Sequence, residues 1–267
     1  MRIPAQQPVL AHASLSAFGD IHGGADTLLG AILGTVDTLV MPTHTYRTML
    51  IPESGPENNA MEYGSGRDVN RMAEFFKYDL PADRLMGVVP ETLRRHPGAR
   101  RSTHPILSFT GIKADAILDA QTLEDFLGPV RVLEDLDGWV LLLGVDHTKN
   151  TAIHYAERLA GRKSFTRWAL TREGVRECQG FPGCSDGFWR ANQYLDAITQ
   201  RITLGKGVVS AIRLQPMVEV LVNVLRKKPL ALLCDNHHCD RCHTIRRVDS
   251  IQVGMGEYEV RQERTVL

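Results

Sequence analysis

Several short stretches of this chain hold side chains at spacings that can do chemistry. In Asn150-Thr151-Ala152-Ile153-His154-Tyr155-Ala156-Glu157 an imidazole precedes a carboxylate by three residues, which on a helix sets both on one face. A carboxylate on one ring nitrogen fixes the tautomer and leaves the other nitrogen as a base. In the first turn of a helix, His154 also meets partial positive charge, which disfavours imidazolium and keeps the ring neutral near pH 7. Cys184-Ser185-Asp186 offers Asp186 as a second orienting carboxylate.

Arg100-Arg101-Ser102-Thr103-His104-Pro105, running on to Ser108, reads either as a phosphate grip built from charge-assisted hydrogen bonds or as a solvated basic turn. Gly23-Gly24 can point backbone amides at a phosphate or thioester oxygen, or form a plain tight turn. It is neither a dinucleotide fingerprint nor a P-loop. Cys234-x4-Cys239-x2-Cys242-His243 has ligand types for tetrahedral zinc, although thiols in a reducing compartment also stay free. Metal is the less favoured reading. Glu134-Asp135 and Asp137 read as an acidic wall for a cationic substrate or as a solvated turn.

The elements that must position these groups follow from periodicity. Pro8–Leu15 reads as a strand, Ala25–Leu33 as a helix after a Gly-rich turn, and Thr38–Met41 as a strand stopped by Pro42. Strand, helix and strand in succession predict a parallel pair. Residues 51–83 are loop-rich and polar, the composition of a lid or wall. Helices are predicted at Val88–Arg95, Ala114–Ala120, Phe188–Gln200 and Met217–Lys227. His104–Thr110 and Trp139–Val145 read as strands, Lys163–Glu177 as a hairpin, and the tail from Thr244 as antiparallel strands. The fold class is therefore α/β, with a mixed, largely parallel central sheet, flanking helices and a C-terminal antiparallel portion. Open α/β folds place their sites at the carboxyl edge of the sheet, where His154 would stand after the apolar run Trp139–Val145.

At 267 residues the chain is expected to form a single domain over 1–267, with residues 228–267 as its cysteine-rich extension. Thirty-one basic residues balance thirty-one acidic ones, so nucleic acid and anionic membranes are not expected partners. No apolar run is long enough to span a bilayer. The start, Met1–Gln7, lacks a signal-peptide core, and an odd count of five cysteines does not read as a secreted disulfide framework. A cytoplasmic protein is expected.

The chain resembles the aminoglycoside 3-N-acetyltransferase family, the antibiotic N-acetyltransferases. The segments that carry the likeness run in order from about residue 9 to 226. They are His12–Leu15, Gly23-Gly24-Ala25, Leu39–Thr43, Met86–Glu91, Pro97–Pro105 with Ser108, Asp137-Gly138, Leu141–Val145, Asn150–Glu157 and Phe181–Phe188. The resemblance implies direct transfer of acetyl from acetyl-coenzyme A to the 3-amino group of an aminoglycoside, hence antibiotic resistance, on a fold unlike the common N-acetyltransferase (GNAT) fold. The pyrophosphate loop of that common fold is indeed missing, its nearest candidate at Arg201–Gly207 being out by one residue. The family's general base falls on His154, with Asp186 or Glu157 as orienting carboxylate. Coenzyme A is expected along His12, Ser14, Leu15, Gly23, Gly24, Arg101, Ser102, His104 and Ser108, with oxyanion donors near Ser14 or Ser108. Where the family has Phe-Gly-x-x-Ser-Pro this chain has Phe126-Leu127-Gly128-Pro129-Val130-Arg131, so Arg131 is expected close to the acceptor. Homodimerisation is left open.

Two rival readings remain. One keeps acyl transfer but makes Cys184 a nucleophile beside His154 and Asp186, on another amine. The other is a non-catalytic interaction protein whose cysteine tail (Cys234, Cys239, Cys242, His243) binds zinc.

Overall fold

The computed structural model describes residues 2–248. Three strands run parallel at its centre. β1 (Val9–Ala13) leads through α1 (Gly24–Leu33) to β2 (Leu39–Pro42), the predicted βαβ unit, and β2 lies beside β1. After the short β3 (Met49–Leu50), α2 (Arg67–Arg71) and α3 (Val88–Arg95), a meander of β4 (Ala99–Arg101) and β5 (Phe109–Ile112) adds antiparallel to β2. Helices α4 (Asp115–Asp119) and α5 (Gly128–Asp135) then lead to β6 (Trp139–Leu143), which runs parallel to β1 on its other side.

Helix α6 (Ala152–Leu159) follows β6, and the hairpin β7 (Phe165–Thr171) and β8 (Gly174–Phe181) pairs with β3 in a separate three-stranded sheet. After α7 (Asn192–Leu195), the hairpin β9 (Gln200–Leu204) and β10 (Gly207–Arg213) closes the large sheet antiparallel to β6. Helices α8 (Leu214–Lys227) and α9 (Asp240–Val248) end the described chain. The seven-stranded order is β4-β5-β2-β1-β6-β10-β9. The sheet is mixed, as expected, but parallel pairing is confined to β2, β1 and β6, with antiparallel strands on both flanks.

The period-2 alternation of the central strands fills two cores. Val9, Ala11, Leu39, Met41, Trp139 and Leu141 pack under α1 and α3, while Leu10, Val40, Val140 and Leu142 pack under α5, α6 and α8. His12 is the fourth residue of β1 and so lies on the Leu10 face, the face that carries α6. Both faces of β6 are buried, which is why Trp139–Leu143 reads as an unbroken apolar run.

Several expectations need correction. His104–Ser108 is a turn rather than strand, because His104 Nδ1 accepts from the backbone N–H of Ile106 (3.2 Å) and Leu107 (3.0 Å), so those amides do not enter a ladder. Phe188–Gln200 is not one helix. Phe188, Ala191 and Leu195 keep a helical spacing of buried positions, but the segment breaks into short turns around α7, and Gln200 begins the β9 hairpin. Thr244–Val248 is the end of α9, not strand; the remainder of the predicted tail strands lies outside the described residues. The excursion at 51–83 packs on the three-stranded sheet instead of forming a lid. Asn59, for example, pairs with both backbone groups of Thr166 at 2.7 and 3.0 Å.

Candidate active site

The carboxyl ends of β1, β2 and β6 share one edge, and the loops that leave them line a cavity of about 1080 Å³. That lies at the upper end of the roughly 300–1,000 Å³ typical of a ligand pocket. The turn out of β6 must come close to the turn out of β1. At Gly144, φ is +66° and a Cβ would lie 2.5 Å from Ala17 Cβ and 3.0 Å from the Ser14 carbonyl oxygen, so only glycine fits.

His154 stands in the first turn of α6 and its ring lines the cavity. Its Nδ1 lies 2.7 Å from Glu157 Oε2, and the ring packs on Phe188 with centroids 4.7 Å apart. Glu157 is buried, and its other oxygen accepts from Arg162 Nη1. Arg162 Nη2 in turn donates to the carbonyls of Pro229 (2.5 Å) and Ala231 (2.7 Å), which hold the cation in place. Burial alone would raise the Glu157 carboxyl, yet the charge of Arg162 and the hydrogen bond with His154 bring it below the ordinary range. A permanent anion therefore faces Nδ1. Nδ1 carries the proton in that arrangement, and the lone pair is left on Nε2.

Asp186 also lines the cavity, but it is exposed; among the described residues its carboxylate makes no hydrogen bond to His154, and its backbone N–H donates to Cys184 Sγ at 3.4 Å. Glu157 is the carboxylate the fold brings to the imidazole. Cys184 is buried and its thiol is pushed far up, first by its hydrogen bond with Cys242 and then by burial. Without a metal ion on it, a thiol so held is not the thiolate that nucleophilic attack requires.

Of the residues expected along coenzyme A, His12, Ser14 and Leu15 line the cavity, whereas Gly23, Gly24, Arg101, Ser102, His104 and Ser108 do not. Gly23 and Gly24 form a turn with φ of +78° and +59° at the start of α1. Arg101 is 2 % exposed. Its guanidinium donates to Ser108 Oγ (3.0 Å) and to the carbonyls of Thr43 (2.7 Å), Leu80 (2.5 Å) and Tyr78 (3.2 Å), so its donors are committed inside the protein. Ser108 passes its own proton to the Thr43 carbonyl at 2.9 Å. Ser102 is bonded to Gln121 and Phe109. The basic run is a structural tie between β4, β5 and the loop after β2. Arg131, expected near an acceptor, instead pairs with Asp135 at 3.9 Å on α5. Asp137 pairs with Arg213, and none of Glu134, Asp135 and Asp137 lines the cavity.

Several cavity residues escaped the sequence reading. His44 sits just past the end of β2, with Nδ1 3.1 Å from the Tyr46 hydroxyl. Its Nε2, like that of His12, is buried without a protein partner. Burial holds both rings neutral, pushing each down to about 3. Position alone could have flagged His44, since it follows a parallel strand at the same edge as His12. Arg167 on β7 and Arg241 on α9 also line the cavity, but nothing in their local sequence says so. Lys149 lies at the mouth, and a smaller adjoining hollow joins Lys149 and Lys206 to Ser14.

Comparison with known proteins places this arrangement. The chain is similar to the SPbeta prophage-derived aminoglycoside N(3')-acetyltransferase-like protein YokD of Bacillus subtilis, 34% identical over 180 residues, which cover 63% of this chain and 65% of that protein. It is also similar to an aminoglycoside N(3)-acetyltransferase III from Salmonella sp, 29% identical over 206 residues, covering 67% of this chain and 70% of that one. Among solved structures, aminoglycoside acetyltransferase AAC(3)-IVa superposes with a TM-score of 0.72 at 24% identity, covering 92% of each chain. AAC-IIIb, described as a binary complex with CoASH, superposes with a TM-score of 0.68 at 22% identity, covering 84% of this chain and 92% of that one. These likenesses carry the fold, which is not the common N-acetyltransferase one. The family model for aminoglycoside 3-N-acetyltransferases matches residues 10–226. Since that is well over half the sequence, the chain belongs to the aminoglycoside 3-N-acetyltransferase family.

Proposed function

We propose that this protein transfers an acetyl group from acetyl-coenzyme A directly to the 3-amino group of an aminoglycoside, with His154 as general base. The observation that carries the proposal is the 2.7 Å contact between His154 Nδ1 and Glu157, in a residue that lines the large cavity. Acetyl-coenzyme A supplies an activated acyl carbon. An amine of this class is largely ammonium at neutral pH and cannot attack that carbon until it loses a proton. His154 Nε2 takes the proton, a step worth about 10²–10⁴-fold. Glu157 stabilises the resulting imidazolium, and Arg162 keeps Glu157 ionised. Attack leaves the nitrogen with one proton more than the amide keeps; as the C–S bond breaks that proton passes to the departing thiolate, and the imidazolium of His154 returns its own proton to solvent. In this reading the Ser14 hydroxyl, half-buried just past the end of β1, donates to the oxyanion; Ser108 is bonded to the Thr43 carbonyl instead. Lys149 and Lys206, both exposed, take the phosphate role that Arg101 cannot.

Asp186 fits better as a contact for a cationic acceptor than as a partner of the base. Support for the substrates comes from the relatives: AAC-IIIb is described with CoASH, and a mutant of AAC(3)-IVa in complex with a gentamicin. One observation favours a second acceptor class. Asp20 and Asp186 are the only carboxylates among the described lining residues, facing Lys149, Arg167 and Arg241. That balance suits an amine that carries fewer positive charges, or an anionic group of its own. The test measures release of free coenzyme A against a panel of aminoglycosides and simpler amines, with product mapping. Acetylation at the 3-amino group of an aminoglycoside is expected. Turnover confined to simpler amines replaces the acceptor, and none with any amine rejects the activity.

A further inference from the structure

Four of the five cysteines converge where the C-terminal segment meets the cavity wall. We propose that Cys184, Cys234, Cys239 and Cys242 bind one zinc ion in a closed tetrahedral site. Their sulfur atoms all lie within 4.8 Å of one another. Tetrahedral zinc with Zn–S bonds of about 2.3 Å sets its ligand sulfurs about 3.8 Å apart, so a small contraction of the cluster completes the shell. Cys184, Cys234 and Cys242 are buried, and all four are free thiols. His243, the histidine that the linear spacing offered as fourth ligand, is exposed and stands outside the cluster. The fourth ligand, Cys184, comes instead from far upstream in the sequence.

The surroundings suit a thiolate site. A zinc ion with four thiolates carries a net double negative charge, and three arginines gather on the adjoining backbone. Arg190 donates to the Leu233 carbonyl at 2.9 Å and also pairs with Asp235. Arg246 donates to the carbonyl of Cys234. Arg241, between two ligands in sequence, donates to the carbonyls of Gly183 (3.0 Å) and Pro182 (3.4 Å). The N–H of Asp186 points at Cys184 Sγ from 3.4 Å, the kind of second contact that steadies a metal-bound sulfur. The backbones approach closely here: a Cβ on Gly187 would lie 2.4 Å from the Leu232 carbonyl oxygen.

With all four positions filled by protein, the ion has no open site for substrate, and its work is structural. It fastens α9 and the segment from Leu232 to the turn Pro182–Gly187. Pro182–Asp186 and Arg241 line the cavity, so the ion fixes one wall of it. The proposal stands on the thiol geometry alone, whatever the acceptor proves to be.

The test is metal analysis of full-length protein purified without a metal-affinity step, with thiol titration and thermal melting. One zinc per chain is expected, and cobalt substitution should give the visible absorption of a tetrahedral thiolate site. Chelation should lower Tm by roughly 10 °C or more, with recovery when zinc is returned. Cys184→Ser and Cys242→Ser should each lose most of the zinc; the wild-type measurements decide the matter should either variant fail to fold. Metal-free native protein that does not take up zinc, with four reactive thiols or with disulfides by mass, would overturn the proposal.

Discussion

Two buried polar networks lie a short distance apart, and they differ in where their last donor or acceptor points. Around Arg101, the hydrogen bonds of the guanidinium end inside the protein, on Ser108, Thr43, Tyr78 and Leu80. Around His154, the chain Arg162–Glu157–His154 is closed at one end and leaves Nε2 on a ring that lines the cavity. The first network ties strands together, whereas the second leaves a ring nitrogen available for the base role proposed above. A basic, hydroxyl-rich run and a lone histidine look equally promising as sequence. What separates them is whether the surrounding fold has already satisfied them.

The contrast can be broken from either side. The largest effect should come from Arg101→Met, which strands buried carbonyls and removes a packed side chain. A loss of about 3–5 kcal/mol is expected in chemical denaturation. Any folded fraction should bind coenzyme A with ordinary affinity; a stable variant with greatly weakened coenzyme A binding would restore Arg101 to the site. Glu157→Gln should follow, lowering kcat by roughly 10–100-fold with KM little changed, because the ring keeps its place but its cationic form loses a stabilising anion. Equal turnover by this variant and the wild type would remove Glu157 from the role.

A smaller effect tests the neutral histidines. Burial pushes His104 down to about 4 and His12 and His44 down to about 3. Each folded value lies below the ordinary 6.5, so the unfolded chain binds more protons and stability falls as pH drops from about 6.5 towards about 3. Above pH 6.5 their contribution is complete. His104→Gln should flatten the slope of unfolding free energy between pH 6 and 4.5 by up to about 1.4 kcal/mol per pH unit. An unchanged slope would mean that the ring titrates in the fold.

Much of the frame was legible because it rests on local rules. The apolar runs of β1, β2 and β6 and the helical spacing of α3 and α8 gave those elements to within three residues at either end. His154 and Glu157 were readable together because an i,i+3 spacing on a helix fixes their distance. Helix α5 was missed because it opens on Gly128-Pro129, which looks like a loop although proline at the start of a helix is well tolerated. The β9–β10 hairpin was missed since its edge strand is exposed along its whole length and shows only two apolar residues, Ile202 and Leu204. Arg167, Arg241 and the partnership of Cys184 with the C-terminal cysteines depend on segments that meet only in the folded chain. No window of sequence contains them.

The central claim is that an imidazole at position 154, oriented by Glu157, removes the proton from the acceptor amine. Comparing His154→Ala with wild type in single-turnover acetyl transfer, alongside calorimetric binding of coenzyme A, tests it most directly. Turnover should fall by about 10²–10⁴-fold while coenzyme A affinity stays within a few-fold. A variant that keeps more than about a tenth of the wild-type rate, a loss below the range expected for a general base, would contradict it.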